Sequence, residues 1–441
     1  MGFSEMTPIQ AATIAPLLAG KDLIGQSQTG SGKTAAFLIP ILVKIEITES
    51  APQALVLCPT RELCDQVLLE CRKFAKAFQG LKTVALVGGQ PYPPQLQALQ
   101  NGVHLAVGTP GRTLELLRSG QFSAKNLKCL VLDEADRMLD EGFADEMTAI
   151  LEKLPRNRQT IFFSATFTEN VEKLSRRFQK EAERITIDVE THGAPLIEQY
   201  VYAAEKDQKK ETLVRILLTH PSMCTLIFCR MKSTVDELGR FLAQAKVRCE
   251  VLHGDLEQSE RDRAITLFRN GSLRILVATD VAARGIDIDA LELVINYDLP
   301  VSPEIYVHRI GRTGRAGRSG AAVSIATGFE SSKIIDIETF AGVTIKRNHD
   351  LKAPANLGHE FQKTLMNTLQ VFGGRNDKLR PGDILGALTA EPDAIPVAKI
   401  GKIQIFERVT FVAVSPEVAI RALEKLQKQK IKGSKFKTYL F

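Results

Sequence analysis

Lys33 and Asp133 are the residues of this 441-residue chain around which chemistry gathers most clearly. Lys33 ends the run Gly30-Ser31-Gly32-Lys33, with Thr34 next, between the apolar segments "LIG" and "AAFLIP". Glycines let successive backbone N–H groups curve around an anion, and a helix opening at Lys33 adds its positive end. In such a loop Lys33 reaches the β- and γ-phosphates of a nucleotide, and Thr34 reaches Mg2+. Ser27 stands where the general pattern has its first glycine. The competing reading is an incidental glycine turn, which an apolar strand before and an apolar helix after disfavour.

Asp133 closes the strand of "KCLVLDEAD", residues 128–136. The unbroken apolar run Cys129–Leu132 suits a parallel strand covered on both faces. Ligands of such sheets bind at the C-terminal ends of the strands. Asp133 is then placed to hold Mg2+, and Glu134 to polarise an attacking water. An acidic strand end is commonly just a helix cap. Beside a phosphate loop it is the second half of a site for ATP and Mg2+.

Further short segments follow in a fixed order. Thr7-Pro8-Ile9-Gln10 precedes the loop; "PTREL" (59–63), "GG" (88–89), "TPGR" (109–112), "DEAD" (133–136) and "SAT" (164–166) come after it. A second series holds "LIFC" (226–229), "HGD" (253–255), "QSER" (258–261), "ATDVAARGIDI" (278–288) and "HRIGRTGRAGR" (308–318). Across residues 2–330 the chain resembles the DEAD-box RNA helicases. The resemblance implies two RecA-like parallel α/β domains that close on ATP and single-stranded RNA, bend the strand and release it after hydrolysis. Gln10 matches the adenine-reading glutamine, its amide suited to donate and accept at once. Arg312 and Arg315 match arginine fingers, Asp287 the ribose contact, and His308 a bridge to the DEAD acids. Arg61, Gly89, Thr109, Arg112, Gln258, Arg261 and Thr279 match RNA-backbone contacts, which grip phosphate and 2′-OH without reading bases. Ser164 and Thr166 match a motif that couples nucleotide state to RNA grip. The family carries an aromatic well before its glutamine; only nine residues precede Gln10, so a start further upstream is expected.

The elements needed to position these residues divide the chain. We expect a first domain over 1–188, a linker over 189–201, a second domain over 202–345, a linker over 346–366 and a third domain over 367–441. The last reads strand (369–374), helix (381–390), strand (398–406), strand (409–415), helix (416–429), strand (435–441), an α+β order resembling an RRM-like fold. Two departures stand out. In "ERVTFVAV" (407–414), Glu407 and Val409 occupy positions where base-stacking sheets carry a cation and an aromatic. Phe372 and Phe411 are the remaining candidates for stacking, Phe411 equally a core residue.

Charge separates this third domain from the rest. The whole chain is 57 − 51 = +6, and residues 371–441 hold 13 Lys/Arg against 7 Asp/Glu, also +6. From Lys425 to the end there are six lysines and no acid. A solubilising face is the plain reading; on a nucleic-acid enzyme a polyanion-binding patch is the better one. Lys399, Lys402, Lys425, Lys428, Lys430, Lys432, Lys435 and Lys437, with Arg375, Lys378 and Arg380, are its candidate RNA contacts. "LRPGDILGALT" and the lysine-rich end resemble the bacterial DbpA subgroup, which implies a hairpin of large-subunit (23S) ribosomal RNA as partner and a role in late ribosome assembly. The alternatives are a general RNA remodeller acting in mRNA turnover or cold adaptation, and an ATP-gated RNA clamp. Seven cysteines without a CxxC pair, mostly within apolar runs, point to reduced core residues and the cytoplasm. No apolar run approaches the ~20 residues of a membrane span, and a monomer is expected.

Overall fold

The computed structural model describes residues 5–27, 31–75, 78–187, 197–220, 224–283, 291–314, 319–347 and 364–441. The chain divides at about residue 194 into two compact units.

The first unit is one parallel sheet. Its strands are β1 (Leu23–Gln26), β2 (Ala54–Leu57), β3 (Thr83–Leu86), β4 (Leu105–Gly108), β5 (Cys129–Asp133), β6 (Gln159–Ser164) and β7 (Glu183–Thr186), in the order β3-β4-β2-β5-β6-β1-β7. β2, β4 and β5 are buried along their whole length, so each side chain faces a helix layer on one face or the other. Their apolar runs form strands because both faces need Leu, Val and Cys, each large side chain contributing ~1.5–3 kcal/mol. The flanking helices are amphipathic. Arg61–Phe74 buries Leu63, Cys64, Val67, Leu68, Cys71 and Phe74, and the Thr60 hydroxyl accepts from the Leu63 N–H at its start.

The second unit holds another such sheet and a smaller one. β8 (Ile197–Ala203), β9 (Thr225–Cys229), β10 (Cys249–Leu252), β11 (Ile275–Thr279), β12 (Leu293–Asn296), β13 (Gly320–Ala326) and β14 (Lys346–Arg347) run in the order β10-β11-β9-β12-β13-β8-β14. This corrects two expected linkers. Residues 197–201 are no linker but the start of β8, paired with β13 over seven residues. Lys346 and Arg347 pair with β8 rather than leaving the domain. The remainder of both expected linkers, 189–196 and 348–363, lies outside the described residues.

The C-terminal domain is β15 (Asn367–Val371), a helix Pro381–Thr389, β16 (Ile400–Ile405), β17 (Thr410–Val414), a helix Ala419–Lys428 and β18 (Thr438–Leu440). Its antiparallel sheet runs β16-β17-β15-β18. Leu369, Val371, Val412 and Val414 face the two helices, meeting Ile384, Leu388, Ala422 and Leu426. Thr368 lies on the other face and meets the second domain. Its hydroxyl accepts from Asn270 Nδ2 at 3.1 Å and lies 2.6 Å from Ser272 Oγ. The Leu365 N–H donates to the Gly271 carbonyl at 3.0 Å, and the Arg263 guanidinium covers the Phe441 ring at 4.8 Å. All seven cysteines are free, five of them buried. Among the described residues no helix is long and apolar enough to cross a membrane.

Candidate active site

Parallel strands deliver their following loops to one edge, and strand order sorts them. In the first unit the neighbours β3, β4 and β2 end in Gly88-Gly89, Thr109–Arg112 and Pro59–Arg61. The neighbours β5, β6 and β1 end in the DEAD acids, Ser164–Thr166 and the phosphate loop. One half of the edge thus carries the candidate RNA contacts and the other half the candidate ATP contacts.

On the ATP half, Gly32 caps the helix Lys33–Lys44 at φ 93°, a left-handed conformation that glycine adopts without strain. Gln10 packs so closely that a Cβ on Gly32 would stand 2.5 Å from its amide nitrogen. The Gln10 amide donates to the Gly32 carbonyl at 3.1 Å and accepts from the Thr7 N–H at 3.0 Å. These two bonds use one N–H and one lone pair of that amide, leaving one of each. Lys33 is buried, and its Nζ donates to the Ser27 carbonyl at 2.9 Å; the hydroxyls of Ser27 and Ser31 lie 2.9 Å apart. Gly30 lies outside the described residues.

Asp133 is buried at the end of β5. Loss of water pushes its carboxyl up to about 7; Lys33 opposes the shift and the Glu134 charge adds to it. A carboxylate held this way favours a cation beside it. One carboxylate with the Thr34 hydroxyl fits Mg2+, which takes few protein oxygens and completes its shell with phosphates and water. Glu134 adopts φ 57°, ψ 53°, and its carboxylate is paired with the buried Arg137, which also reaches Glu141 at 3.7 Å.

The third acid of the motif, Asp136, has a role with no local signature in the sequence. Asp136 Oδ2 accepts from both the N–H and the hydroxyl of Thr166, each at 2.7 Å. The Ser164 hydroxyl donates to the Thr166 carbonyl at 2.7 Å and accepts from the Asp136 N–H at 3.2 Å. Ser164 and Thr166 are therefore tied to the DEAD helix by direct bonds.

On the RNA half, Arg61 lies across Gly89, where any Cβ would collide with its guanidinium. Gly89 has φ 69°, so it is glycine for two independent reasons. Thr109 precedes the helix Pro110–Arg118, and Arg112 rests on the Tyr92 ring at 5.0 Å while pairing with Glu115 at 3.0 Å.

In the second unit, β10 and β11 lie side by side and end near Gln258, Arg261 and Thr279. Gln258 Nε2 donates to Asp262 at 2.9 Å, and Arg261 to the His253 carbonyl at 3.4 Å. His308 and Arg309 end the helix Pro303–Ile310, and the largely buried Arg312 follows. Arg309 is the residue that sequence reasoning passed over. It is almost fully buried, makes two bonds to Asp280 at 2.6 and 2.7 Å, donates to Asn296 and to the Asp298 carbonyl, and packs on Phe228. It fastens the short helix Asp280–Ala283, which follows Thr279, to the helix that precedes Arg312. Asp287 and Arg315 lie outside the described residues.

The C-terminal lysines divide into two sets. Lys425 is buried and donates to the carbonyls of Ala390 and Pro392. Lys399 pairs with Glu417, and Lys432 with Asp383 at 3.0 Å and with the Lys378 carbonyl. Lys425 ties the domain together, whereas the side chains of Lys399 and Lys432 stay 44% and 41% exposed beside their partners. Arg375, Lys378, Lys402, Lys435 and Lys437 are exposed. Phe411 is 1% exposed and packs edge-to-face on Phe406, so it is buried and offers no open ring face.

Comparison with known families and proteins agrees with this geometry. Residues 7–174 match the DEAD/DEAH box helicase family, 208–317 the helicase conserved C-terminal domain and 368–439 the DbpA RNA binding domain. The chain is 44% identical over 98% of its length to the ATP-dependent RNA helicase DbpA of Escherichia coli K12, covering 94% of that protein. It is 37% identical over 99% of its length to the ATP-dependent RNA helicase DbpA of Bacillus subtilis 168, covering 95% of it. The chain belongs to the DbpA-type DEAD-box RNA helicases.

The helicase also resembles a structure of Saccharomyces cerevisiae Dbp5 bound to RNA and ADP BeF3, with TM-score 0.70 and 34% identity over 78% of this chain and 90% of that one. As a member of this family it is an RNA-dependent ATPase and helicase.

Proposed function

We propose that this helicase acts on large-subunit (23S) ribosomal RNA, holding a hairpin with its C-terminal domain while the two parallel-sheet domains separate a strand nearby, as a step of late ribosome assembly in the cytoplasm. The observation that carries the reading is the docking of the C-terminal domain. The domain that contains the chain's whole net charge of +6 is joined to the second parallel-sheet domain by the buried Thr368–Asn270–Ser272 contact. A structured RNA held by exposed Arg375, Lys378, Lys402 and Lys435 is thus kept beside the engine at high effective concentration. Arg61, Gly89, Thr109, Arg112, Gln258, Arg261 and Thr279 then grip whichever strand is presented, since backbone contacts carry no sequence.

For hydrolysis, Lys33, Ser31 and Gly32 cradle the phosphates and Gln10 orients adenine, while Thr34 and Asp133 would hold Mg2+, which would supply charge neutralisation at the phosphates. Glu134 orients the water. Arg312 and Arg315 stabilise charge on the transferred group, Asp287 binds the ribose, and His308 bridges to the acids. The Asp136–Thr166 bonds carry the nucleotide state to the SAT loop. The protein acts as a monomer.

Binding of the full chain, without nucleotide, to a large-subunit ribosomal hairpin, an unrelated hairpin and a homopolymer tests the target. Preference of at least about tenfold for the ribosomal hairpin is expected at physiological salt. Equal affinities would replace this reading with a general RNA remodeller.

A further inference from the structure

The C-terminal sheet hides its rings with one exception. Strand alternation sends Leu369 and Val371 into the core and Gln370 and Phe372 to the opposite face. On the neighbouring edge strand it sends Thr438 inward and Tyr439 outward, and the register sets Tyr439 across from Gln370. Phe372 and Tyr439 meet there, ring centres 5.6 Å apart and planes at 81°. They are 51% and 55% exposed, although Phe411 on the same face is closed over by Phe406.

We propose that Phe372 and Tyr439 form a stacking site for one unpaired nucleobase of the RNA held by this domain, an inference that rests on the RNA-docking reading above. Two large rings left half in water on a small domain mark a contact surface. The edge-to-face arrangement fixes each ring while leaving ring surface open. What surrounds them decides the class of ligand. Lys437 precedes the inward Thr438 and shares the outward side with Tyr439, and Phe372 N–H bonds to its carbonyl at 2.9 Å. Arg375 and Lys378, both exposed, follow in the loop after Phe372. An apolar platform rimmed by cations fits a flat, uncharged base on an anionic backbone. Bases inside a duplex offer no free face, so the occupant is a loop, bulge or flanking nucleotide. The site lies at the seam of β15 and the edge strand β18, because Phe411 is closed and the central position beside it is taken by Gln370.

The test uses the full chain without nucleotide. The probes are a large-subunit ribosomal hairpin with single-stranded flanks and the same RNA made abasic at its unpaired positions. Phe372→Ala and Tyr439→Ala each weaken binding of the intact RNA by about fivefold to a hundredfold, the worth of one base-on-ring stack. Tyr439→Phe binds like wild type. The slope of affinity against salt does not change, because no phosphate contact is lost. Wild type loses affinity for the abasic RNA, and the alanine variants lose no more. Alanine variants that bind the intact RNA as tightly as wild type overturn the site while the docking reading stands. Losses that recur in full on the abasic RNA assign the rings to a protein contact and also overturn it. A wild type that does not bind the hairpin removes both.

Discussion

The phosphate-loop half of the first domain and the C-terminal domain both handle phosphate, yet they are built in opposite ways. Around the loop, Lys33, Asp133, Asp136 and Arg137 are buried, and Lys33, Asp136 and Arg137 each have a specified partner. On the C-terminal domain, Arg375, Lys378, Lys402 and Lys435 are exposed and point to solvent individually. A buried charge that is paired tolerates no substitute, because its partner is left uncompensated when it goes. An exposed lysine is one of several nearly equivalent charges. Chemistry is therefore concentrated in single residues of the first unit, and affinity is spread over many on the C-terminal domain.

Substitutions should respect that contrast. Lys33→Ala is expected to cut RNA-stimulated ATP hydrolysis by at least about a hundredfold, the usual cost of removing one preorganised charge from a phosphoryl-transfer site. Binding of a structured RNA without nucleotide should stay within about twofold. Equal loss of both would end the division of labour.

Arg309→Met strands Asp280 and should destabilise the second unit by about 3 kcal/mol, read as a fall in the midpoint of urea unfolding. Asp133→Asn should do the reverse in nucleotide- and magnesium-free protein. The carboxyl at about 7 lies above the ordinary carboxylate range, so the folded state holds the proton more tightly than the unfolded one. Wild-type stability then falls as pH rises from about 4 through about 7. The asparagine variant should lack that fall, and be more stable above pH 7 by an amount on the order of 1–3 kcal/mol, while hydrolysing no ATP. A pH-independent difference between the two would contradict the assignment. The smallest effect is expected for Lys435→Ala: a few-fold weaker binding to every RNA, with the slope of log affinity against log salt reduced by about one.

The same contrast governs what could be read before the structure. The phosphate loop, the DEAD acids and the sheet architecture were open to reading because buried polar groups at a strand end leave a fixed local spelling. Asp136 was not assigned a role, since its partner Thr166 is 30 residues away and only the adjacency of β5 and β6 brings them together. Arg309 did leave a trace: it is three residues from the buried Tyr306 and beside the buried Ile310 on one helix. A charge in the apolar register of a helix signals a buried charge with fixed partners. Lys425, three residues after Ala422 and next to Leu426, carried the same signal. Residues 197–201 read as linker in sequence because the strand they pair with, β13, lies far along the chain. The Thr368 docking contact had no local signature at all, being a threonine on the sheet face opposite the domain's own core.

The central claim is that the C-terminal cations choose the RNA on which the ATPase acts. It is tested most directly by the ATPase rate of the full chain against three RNAs: a large-subunit ribosomal fragment, an unrelated structured RNA and a homopolymer. The comparison is wild type against the combined Arg375→Ala, Lys378→Ala, Lys402→Ala, Lys435→Ala variant. The account predicts strong stimulation of wild type by the ribosomal fragment alone, falling in the variant to the homopolymer level, with the rate at saturating RNA retained. Equal stimulation of wild type by all three RNAs, or a variant that keeps the preference, would contradict it.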